Sequence, residues 1–189
     1  VSGFYNELTD KVSFGSEVIR TLQALNGEAV SSYGLEAELH VKMSPVTFSS
    51  NFGWQESQRH FDDPFSDRIP ETFAYPNMTG QARLMVHLDS LGIHVGTEFS
   101  YVGKRVGHPL TRSGYDQVTS RYYLPAYSLV GLHLQSEPVT ILDNRTTRLN
   151  LSVKNLLGQS FAYPGIQPYY GIDVPGEPRE IFVRLSQEL

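Results

Sequence analysis

The chain has 189 residues, of which 40% are hydrophobic and 12% aromatic, enough for a domain rich in β-structure and turns. A formal net charge of -5 without any basic cluster argues against a nucleic-acid partner, because nothing in the sequence would neutralise phosphates. There are no cysteines, which excludes disulfides and thiolate metal sites, and charged residues interrupt every window before the ~20 apolar residues of a spanning helix.

Alternation of apolar and polar residues predicts the first strands. It runs over residues 1–8, continues through Val12 and Phe14, and returns over 20–26, where Asn26-Gly27 predicts a turn or bulge. The strongest pattern follows in YGLEAELHVK, residues 33–42, whose odd positions are apolar and whose even positions are Gly, Glu, His or Lys. A period of two indicates a strand with one apolar and one polar face.

The same alternation predicts the rest of the chain. Ser44-Pro45 predicts a tight turn before a strand over 46–54, and the pattern then fades into a polar loop over 56–71. Pro138 is expected at a bulge or edge, since proline cannot donate to a ladder. The other predicted elements are strands over 82–88, 91–101, 122–135, 149–154 and 179–189, tight turns at 89–90 and 143–144, and long loops over 103–118 and 158–176.

These elements predict an all-β fold, an antiparallel up-and-down meander of about eight long strands. In such a meander the tight and long connections fall at opposite ends, which is typical of an outer-membrane barrel. Strands long enough to cross a bilayer at a tilt favour the same interpretation. So do the charges of both signs on the polar face and the aromatic residues near strand ends, Tyr33, Trp54, Tyr101, Tyr122, Tyr123, Tyr127 and Phe161. A soluble lipocalin-like barrel also alternates, with its apolar face inward, and stays open as an alternative.

With the strands placed, the chain resembles the C-terminal part of the barrel of TonB-dependent outer-membrane receptors. The residues that carry the resemblance are FYN at 4–6 with DKV at 10–12, NGEA at 26–29 with YGLE at 33–36, YVGKR at 101–105, LNLSVKNLLG at 149–158 and PGEPR at 175–179. Their order and spacing cover essentially the whole chain. The sequence departs from the family at Leu189, where a terminal Phe is usual, and at Gln187, where an apolar or aromatic residue is common.

The resemblance implies that residues 1–189 are the C-terminal portion of a barrel of about 22 strands. Such a receptor lies in outer-membrane lipid, is plugged by its own N-terminal domain, and is energised by TonB through a missing N-terminal segment. Its extracellular loops would capture a siderophore-, cobalamin-, haem- or glycan-like ligand, and a fragment without the plug would not transport actively. The alternatives are a complete eight-stranded membrane barrel with a structural or adhesive role and the soluble barrel.

Individual residues support a binding role rather than catalysis. No nucleophile elbow, carboxylate dyad, cofactor motif or metal motif is present, so no catalytic, cofactor-binding or metal-binding residue is predicted. The loop residues that could contact a ligand are His60, His108, Tyr163, Tyr169 and Tyr170. The residues predicted to face the lumen are Glu36, Glu38, Arg83, His87 and Glu98, and those predicted to face lipid are Leu35, Leu39, Val41, Leu84, Val86, Leu88, Ile93, Val95, Leu151 and Val183.

Overall fold

The computed structural model describes residues 1–15, 23–61, 75–106, 123–142, 145–165 and 173–187, without side-chain detail at 11–15, 23–28, 59–61 and 141–142. Nearly all of this is strand, with one 3₁₀ turn over Asp89–Leu91. None of the described residues forms a helix with the length and apolar character to cross a membrane. The strands are β1 (Ser2–Gly15), β2 (Gln23–Met43), β3 (Val46–Phe61), β4 (Met78–Leu88), β5 (Ile93–Val102), β6 (Arg105–Val106), β7 (Tyr123–Leu124), β8 (Tyr127–Ser136), β9 (Val139–Leu142), β10 (Arg145–Lys154), β11 (Ala162–Tyr163), β12 (Val174–Pro175) and β13 (Glu180–Gln187).

One antiparallel sheet contains the eight predicted strands, in the order β1-β2-β3-β4-β5-β8-β10-β13, and β9 joins it beside β10. The predicted meander is therefore confirmed. Two ladders stand apart from it, β6 with β7 and β11 with β12. β6, β11 and β12 lie inside connections predicted as long loops, whereas β7 lies inside the strand predicted over 122–135. Among the described residues no ladder joins β1 to β13, so the sheet is open, as expected of a barrel segment.

The connections alternate between the two ends as the sequence predicts. The β2–β3 and β4–β5 turns are tight, and the ladder of β9 with β10 closes around 143–144, which lies outside the described residues. The long connections follow β3, β5 and β10 at the other end. We call these the tight-turn end and the long-loop end. Pro138 lies in the break between β8 and β9, an irregular position that spares it a ladder bond.

Several predicted boundaries are wrong, among them the starts of β4 and β10, which lie at Met78 and Arg145 rather than at 82 and 149. β3 continues to Phe61 and pairs with Glu28, so Glu56–Phe61 is strand rather than loop. β1 has 14 residues instead of about eight. Tyr123 pairs with Val106 outside the main sheet, whose next strand begins at Tyr127. At Asn26-Gly27 the bulge alternative holds, since the β1–β2 register shifts there while pairing continues.

Gly34 explains why the YGLE segment needs a residue without a side chain. The Phe4 ring of β1 lies across Gly34, and a Cβ added there would come within 2.8 Å of Phe4 Cζ and 2.3 Å of the Trp54 carbonyl oxygen. Gly34 is buried by this contact. The sheet is otherwise a single layer, and no described side chain is less than 2% exposed.

Candidate functional site

The ladder registers place every predicted lumen residue on one face of the sheet. Glu38 lies opposite Asn51, which lies opposite Gln81, and Arg83 lies opposite Glu98. We call this the polar face. Its members include Glu36, Glu38, His40, Asn51, Gln81, Arg83, His87, His94, Glu98, His133, Asn150 and Ser152. Contact of this face with a lumen stays a prediction.

The apolar residues line up on the opposite face. Leu84 lies there between Phe48 and Thr97, and Leu151 lies between Leu134 and Val183. Several are strongly exposed: Leu39 is 53% and Val183 69% exposed. The single layer formed by the described residues leaves this face uncovered, and an exposed apolar surface of this extent favours contact with lipid or another apolar surface.

An ion-pair network crosses the polar face. The Arg83 guanidinium lies 3.0 Å from the Glu98 carboxylate, and His133 Nε2 lies 3.7 Å from the same carboxylate oxygen. His133 Nδ1 in turn lies 3.0 Å from Ser152 Oγ, so four strands contribute. A shallow depression beside this network is lined by Glu38, Asn51, Gln81, Arg83 and Glu98 among others. This surface carries charges of both signs and suits contact with water or a polar solute.

At the long-loop end, five residues form what we call the rim cluster: Arg105, Tyr127, Phe161, Tyr163 and Glu177. The Arg105 guanidinium lies over the Tyr127 ring, 5.0 Å from its centre, and donates to the Ala162 carbonyl at 2.9 Å. The Tyr127 ring also stacks on Phe161, with ring centres 4.3 Å apart. Arg105 is only 4% exposed, and its Nε has no hydrogen-bond partner among the described residues.

Tyr163 extends the rim cluster to Glu177. Its ring meets Phe161 edge-on at 5.4 Å, and its hydroxyl donates to the Glu177 carboxylate at 2.9 Å. Burial against these neighbours, together with that hydrogen bond, raises the pKa of Tyr163 to about 12. A hydrogen bond from its own backbone N–H, then the one from Tyr163, lowers the pKa of Glu177. The aromatic loop thus packs on the strand ends here, and Tyr163 is engaged within the protein.

Asn155 holds the loop that carries Phe161 and Tyr163. Its backbone φ is +47°, and its side-chain amide donates to the Gln159 and Glu177 carbonyls at 2.9 and 3.1 Å. Its amide oxygen accepts from the Gln159 N–H at 2.9 Å. Asn tolerates the left-handed conformation better than most residues, because its short side chain bonds to nearby backbone. The NLLG motif is therefore a turn that orders the start of this loop.

Another depression, which we call the rim groove, lies at the long-loop end. It is a better candidate for ligand contact than the rim cluster, where Tyr163 is engaged within the protein. It is lined by Gln55, Glu56, Ser57, Tyr75, Pro76, Asn77, Lys104, Val106 and Tyr123. Lys104 Nζ lies 5.2 Å from the Tyr123 ring centre, and Tyr75 is 64% exposed. Aromatic faces beside both a cation and a carboxylate can bind a flat or aromatic polar ligand. Sequence reasoning missed Tyr75 and Lys104, although Tyr75 follows one predicted long loop and Lys104 lies within another.

The other predicted loop contacts cannot be placed. His60 pairs with Ala29 in the β2–β3 ladder, but its side chain lies outside the described detail. His108, Tyr169 and Tyr170 lie outside the described residues. The structure instead brings together a group that the sequence did not predict, His87, His94 and Glu137 at the tight-turn end. The pairing of His87 with His94 follows from the short β4–β5 turn and could have been found from it.

No protein-family model and no curated protein matches the chain. Solved structures do match. The chain is similar to the FrpB iron transporter from Neisseria meningitidis, F3-3 variant, with a TM-score of 0.70 at 16% identity over 97% of this chain and 28% of that one. It is similar to BauA, the ferric preacinetobactin receptor from Acinetobacter baumannii, with a TM-score of 0.73 at 12% identity over 98% and 26%. It is also similar to the ferripyoverdine receptor of the outer membrane of Pseudomonas aeruginosa, with a TM-score of 0.70 at 13% identity over 97% and 23%.

The described sheet therefore has the fold of a segment of these receptors, and the resemblance expected from the sequence is confirmed at the level of fold. The chain spans between 23% and 28% of the length of the three solved proteins. A fold shared at such low identity does not carry over a ligand or an activity.

Proposed function

We propose that this chain is the C-terminal portion of the barrel of a TonB-dependent receptor in the outer membrane of a Gram-negative cell. The observation that carries the proposal is the match of nearly the whole chain to iron and ferric-siderophore receptors. The two-faced sheet agrees with it. Its apolar face, which the described residues leave uncovered, would contact lipid, and its polar face would line a water-filled lumen. The depression lined by Glu38, Asn51, Gln81, Arg83 and Glu98 contains several residues of that polar face.

In this proposal the long-loop end is extracellular and the rim groove contacts the ligand. Ligand capture there would precede passage through a lumen that the protein's own N-terminal plug closes, with energy supplied by TonB. The names of the similar structures make a ferric chelate the first ligand class to test, ahead of cobalamin-, haem- or glycan-like molecules. Catecholate and pyoverdine-type chelates are aromatic and charged, which suits Tyr75, Lys104 and Tyr123. The role is binding and transport, without catalysis and without a resident cofactor.

The test is uptake in iron-limited cells that lack their own ferric-siderophore receptors and express the whole protein containing this chain. Radiolabelled ferric catecholate, hydroxamate and pyoverdine chelates are supplied in turn. We expect saturable uptake of at least one, abolished by a protonophore because the energy comes from the proton gradient. Lys104→Ala with Tyr123→Ala should raise the half-saturating concentration about tenfold, equivalent to ~1.4 kcal/mol.

Lys42→Ala is the matched control, since Lys42 lies on β2 near the tight-turn end and far along the strand from the groove. It should leave the half-saturating concentration unchanged. Uptake that ignores the protonophore, or that never saturates for any chelate, contradicts the proposed transport. Saturable uptake with the same half-saturating concentration in the groove variant and the control would support the transport role but contradict the assignment of the ligand site to the rim groove.

A further inference from the structure

Three side chains that can bind a metal meet at the tight-turn end of the polar face. His87 comes from the end of β4, His94 from the start of β5, and Glu137 from the break between β8 and β9. One ligand atom from each lies within 4.8 Å of the others. The two imidazole rings stack, with centres 4.2 Å apart and planes 12° from parallel. The sheet thus brings His87 and Glu137, which are 50 residues apart in sequence, into contact.

The backbone fixes each contributor. His87 and His94 lie directly opposite each other in the β4–β5 ladder, and the His87 N–H donates to the Pro45 carbonyl at 2.9 Å. The Glu137 N–H donates to the Gly92 carbonyl at 2.7 Å, which ties the β8–β9 break to the β4–β5 turn. Gly92 has a φ of +60° and closes this turn. The side chains therefore project from strands and hydrogen-bonded turns, a better support for a site than a free loop.

The His87 ring lies between two carboxylates. Its Nδ1 is 3.0 Å from Asp89 and its Nε2 is 2.8 Å from Glu137. A neutral imidazole carries one N–H, so if Nδ1 donates to Asp89, the lone pair of Nε2 faces a carboxylate oxygen. Two acceptors at that distance repel each other unless a cation lies between them. The cation is either a second proton on His87 or a metal ion.

His94 favours the metal ion. A proton shared by His87 and Glu137 involves only those two residues, whereas the His94 ring brings a third ligand atom within 4.8 Å of theirs and can direct it at an ion by turning out of its stack with His87. A metal ion uses that ring nitrogen as a ligand. Imidazole nitrogen and carboxylate oxygen together suit Zn²⁺ and similar transition-metal ions, whereas Mg²⁺ and Ca²⁺ prefer oxygen alone.

We propose that His87, His94 and Glu137 bind a divalent transition-metal ion of the Zn²⁺ class, with Asp89 as a positioning residue. Asp89 accepts from His87 Nδ1 and so directs the Nε2 lone pair at the ion, the usual outer-shell role of a carboxylate behind a histidine ligand. Ligand bonds of about 2.1 Å need the Nε2–carboxylate separation to widen only to about 3.3 Å. The His87 and Glu137 side chains are 35% and 45% exposed, so an ion can reach them from water and retain a water ligand.

Such an ion would join the β4–β5 hairpin to the β8–β9 break across neighbouring strands. The test uses the purified whole protein in detergent, stripped with a chelator and titrated calorimetrically with ZnCl₂ at neutral pH. We expect one saturable site. His94→Ala and Glu137→Gln should each weaken Zn²⁺ binding at least tenfold, and Asp89→Asn about tenfold, as for other outer-shell carboxylates.

His40→Ala is the matched control, because His40 is an exposed histidine of the same polar face outside the cluster, and it should bind Zn²⁺ like the unmodified protein. Circular dichroism checks that every variant folds. Co²⁺ gives a second readout, since its visible absorption bands should appear in the unmodified protein and be lost in His94→Ala. Absence of a binding isotherm would leave a proton as the bridging cation and overturn the proposal. Equal Zn²⁺ affinity in His94→Ala and the unmodified protein would overturn it too.

Discussion

Tyr163 illustrates how a single residue responds to its packing. Its pKa is raised to about 12, so the proton that bonds to Glu177 stays in place below pH 10 and is lost as the pH rises through about 12. We expect the difference between the ultraviolet titrations of the unmodified protein and Tyr163→Phe to show one tyrosine with a midpoint near 12. In a Glu177→Gln background that midpoint should fall toward 10, because the carboxylate no longer opposes ionisation. A midpoint near 10 in both backgrounds would contradict the packing of the rim cluster.

The carboxylate of Glu177 depends on pH in the opposite direction from the Tyr163 hydroxyl. Because the pKa of Glu177 is lowered, its stabilising contribution to the loop is fully present above the ordinary pKa of a carboxyl group. That contribution is lost as the pH falls through the lowered pKa. The loop around Tyr163 is therefore held across the whole neutral range.

Site residues were harder to predict than strands. The one-sided alternation placed Glu36, Glu38, Arg83, His87 and Glu98 on one face, since a strand fixes the direction of each side chain. Glu137 could not be predicted to meet His87, because its position depends on an irregular break whose geometry no alternation describes. The rim groove depends in the same way on how two long connections approach each other.

At the scale of the strand, the two faces of β4 should differ in what they tolerate. Leu84→Arg in the whole barrel, folded into lipid vesicles, should cost ~2–4 kcal/mol near the bilayer midplane, because a charge there faces hydrocarbon. Arg83→Gln on the other face should cost at most ~1 kcal/mol, since it removes a partly exposed ion pair with Glu98. Denaturant titration of folding measures both. Equal costs would mean that the apolar face does not meet lipid.

Strand ends were predicted less well than strand faces. The alternation ends near Trp54, while the β2–β3 ladder runs seven residues further, to Phe61. Tyr33 and Trp54 meet edge-on at 5.8 Å on the apolar face, and just beyond them the Tyr33 hydroxyl bonds to Glu56. In the proposed barrel this contact would belong to an interfacial girdle. Beyond it the backbone pairing continues to Phe61, and sequence patterns do not report backbone pairing.

Tyr127 and Phe161 do not fit the same girdle. Tyr127 lies opposite Val102 on the polar-face side and is 8% exposed beneath Arg105 and Phe161. The sequence placed these aromatic residues near strand ends but could not distinguish a ring that faces outward from one that packs inward over the next loop.

For the molecule as a whole, the decisive feature is that β1 and β13 form opposite ends of the sheet order. If the sheet lies in lipid, as we propose, every edge must be paired, and both strands would then need partners from elsewhere in a larger barrel. Tyr5, opposite Tyr33, and Val183, opposite Leu151, both lie on the apolar face. The chain has no native cysteine, so Tyr5→Cys with Val183→Cys can be introduced into the whole protein and treated with a short bis-maleimide. We expect no internal cross-link, because in the proposed barrel of about 22 strands the remaining strands separate these two. Leu151→Cys with Val183→Cys is the positive control, since those residues lie directly opposite each other in the β10–β13 ladder. A Tyr5–Val183 cross-link as efficient as the control's would mean that eight strands close on themselves, and the small membrane barrel would replace the receptor segment.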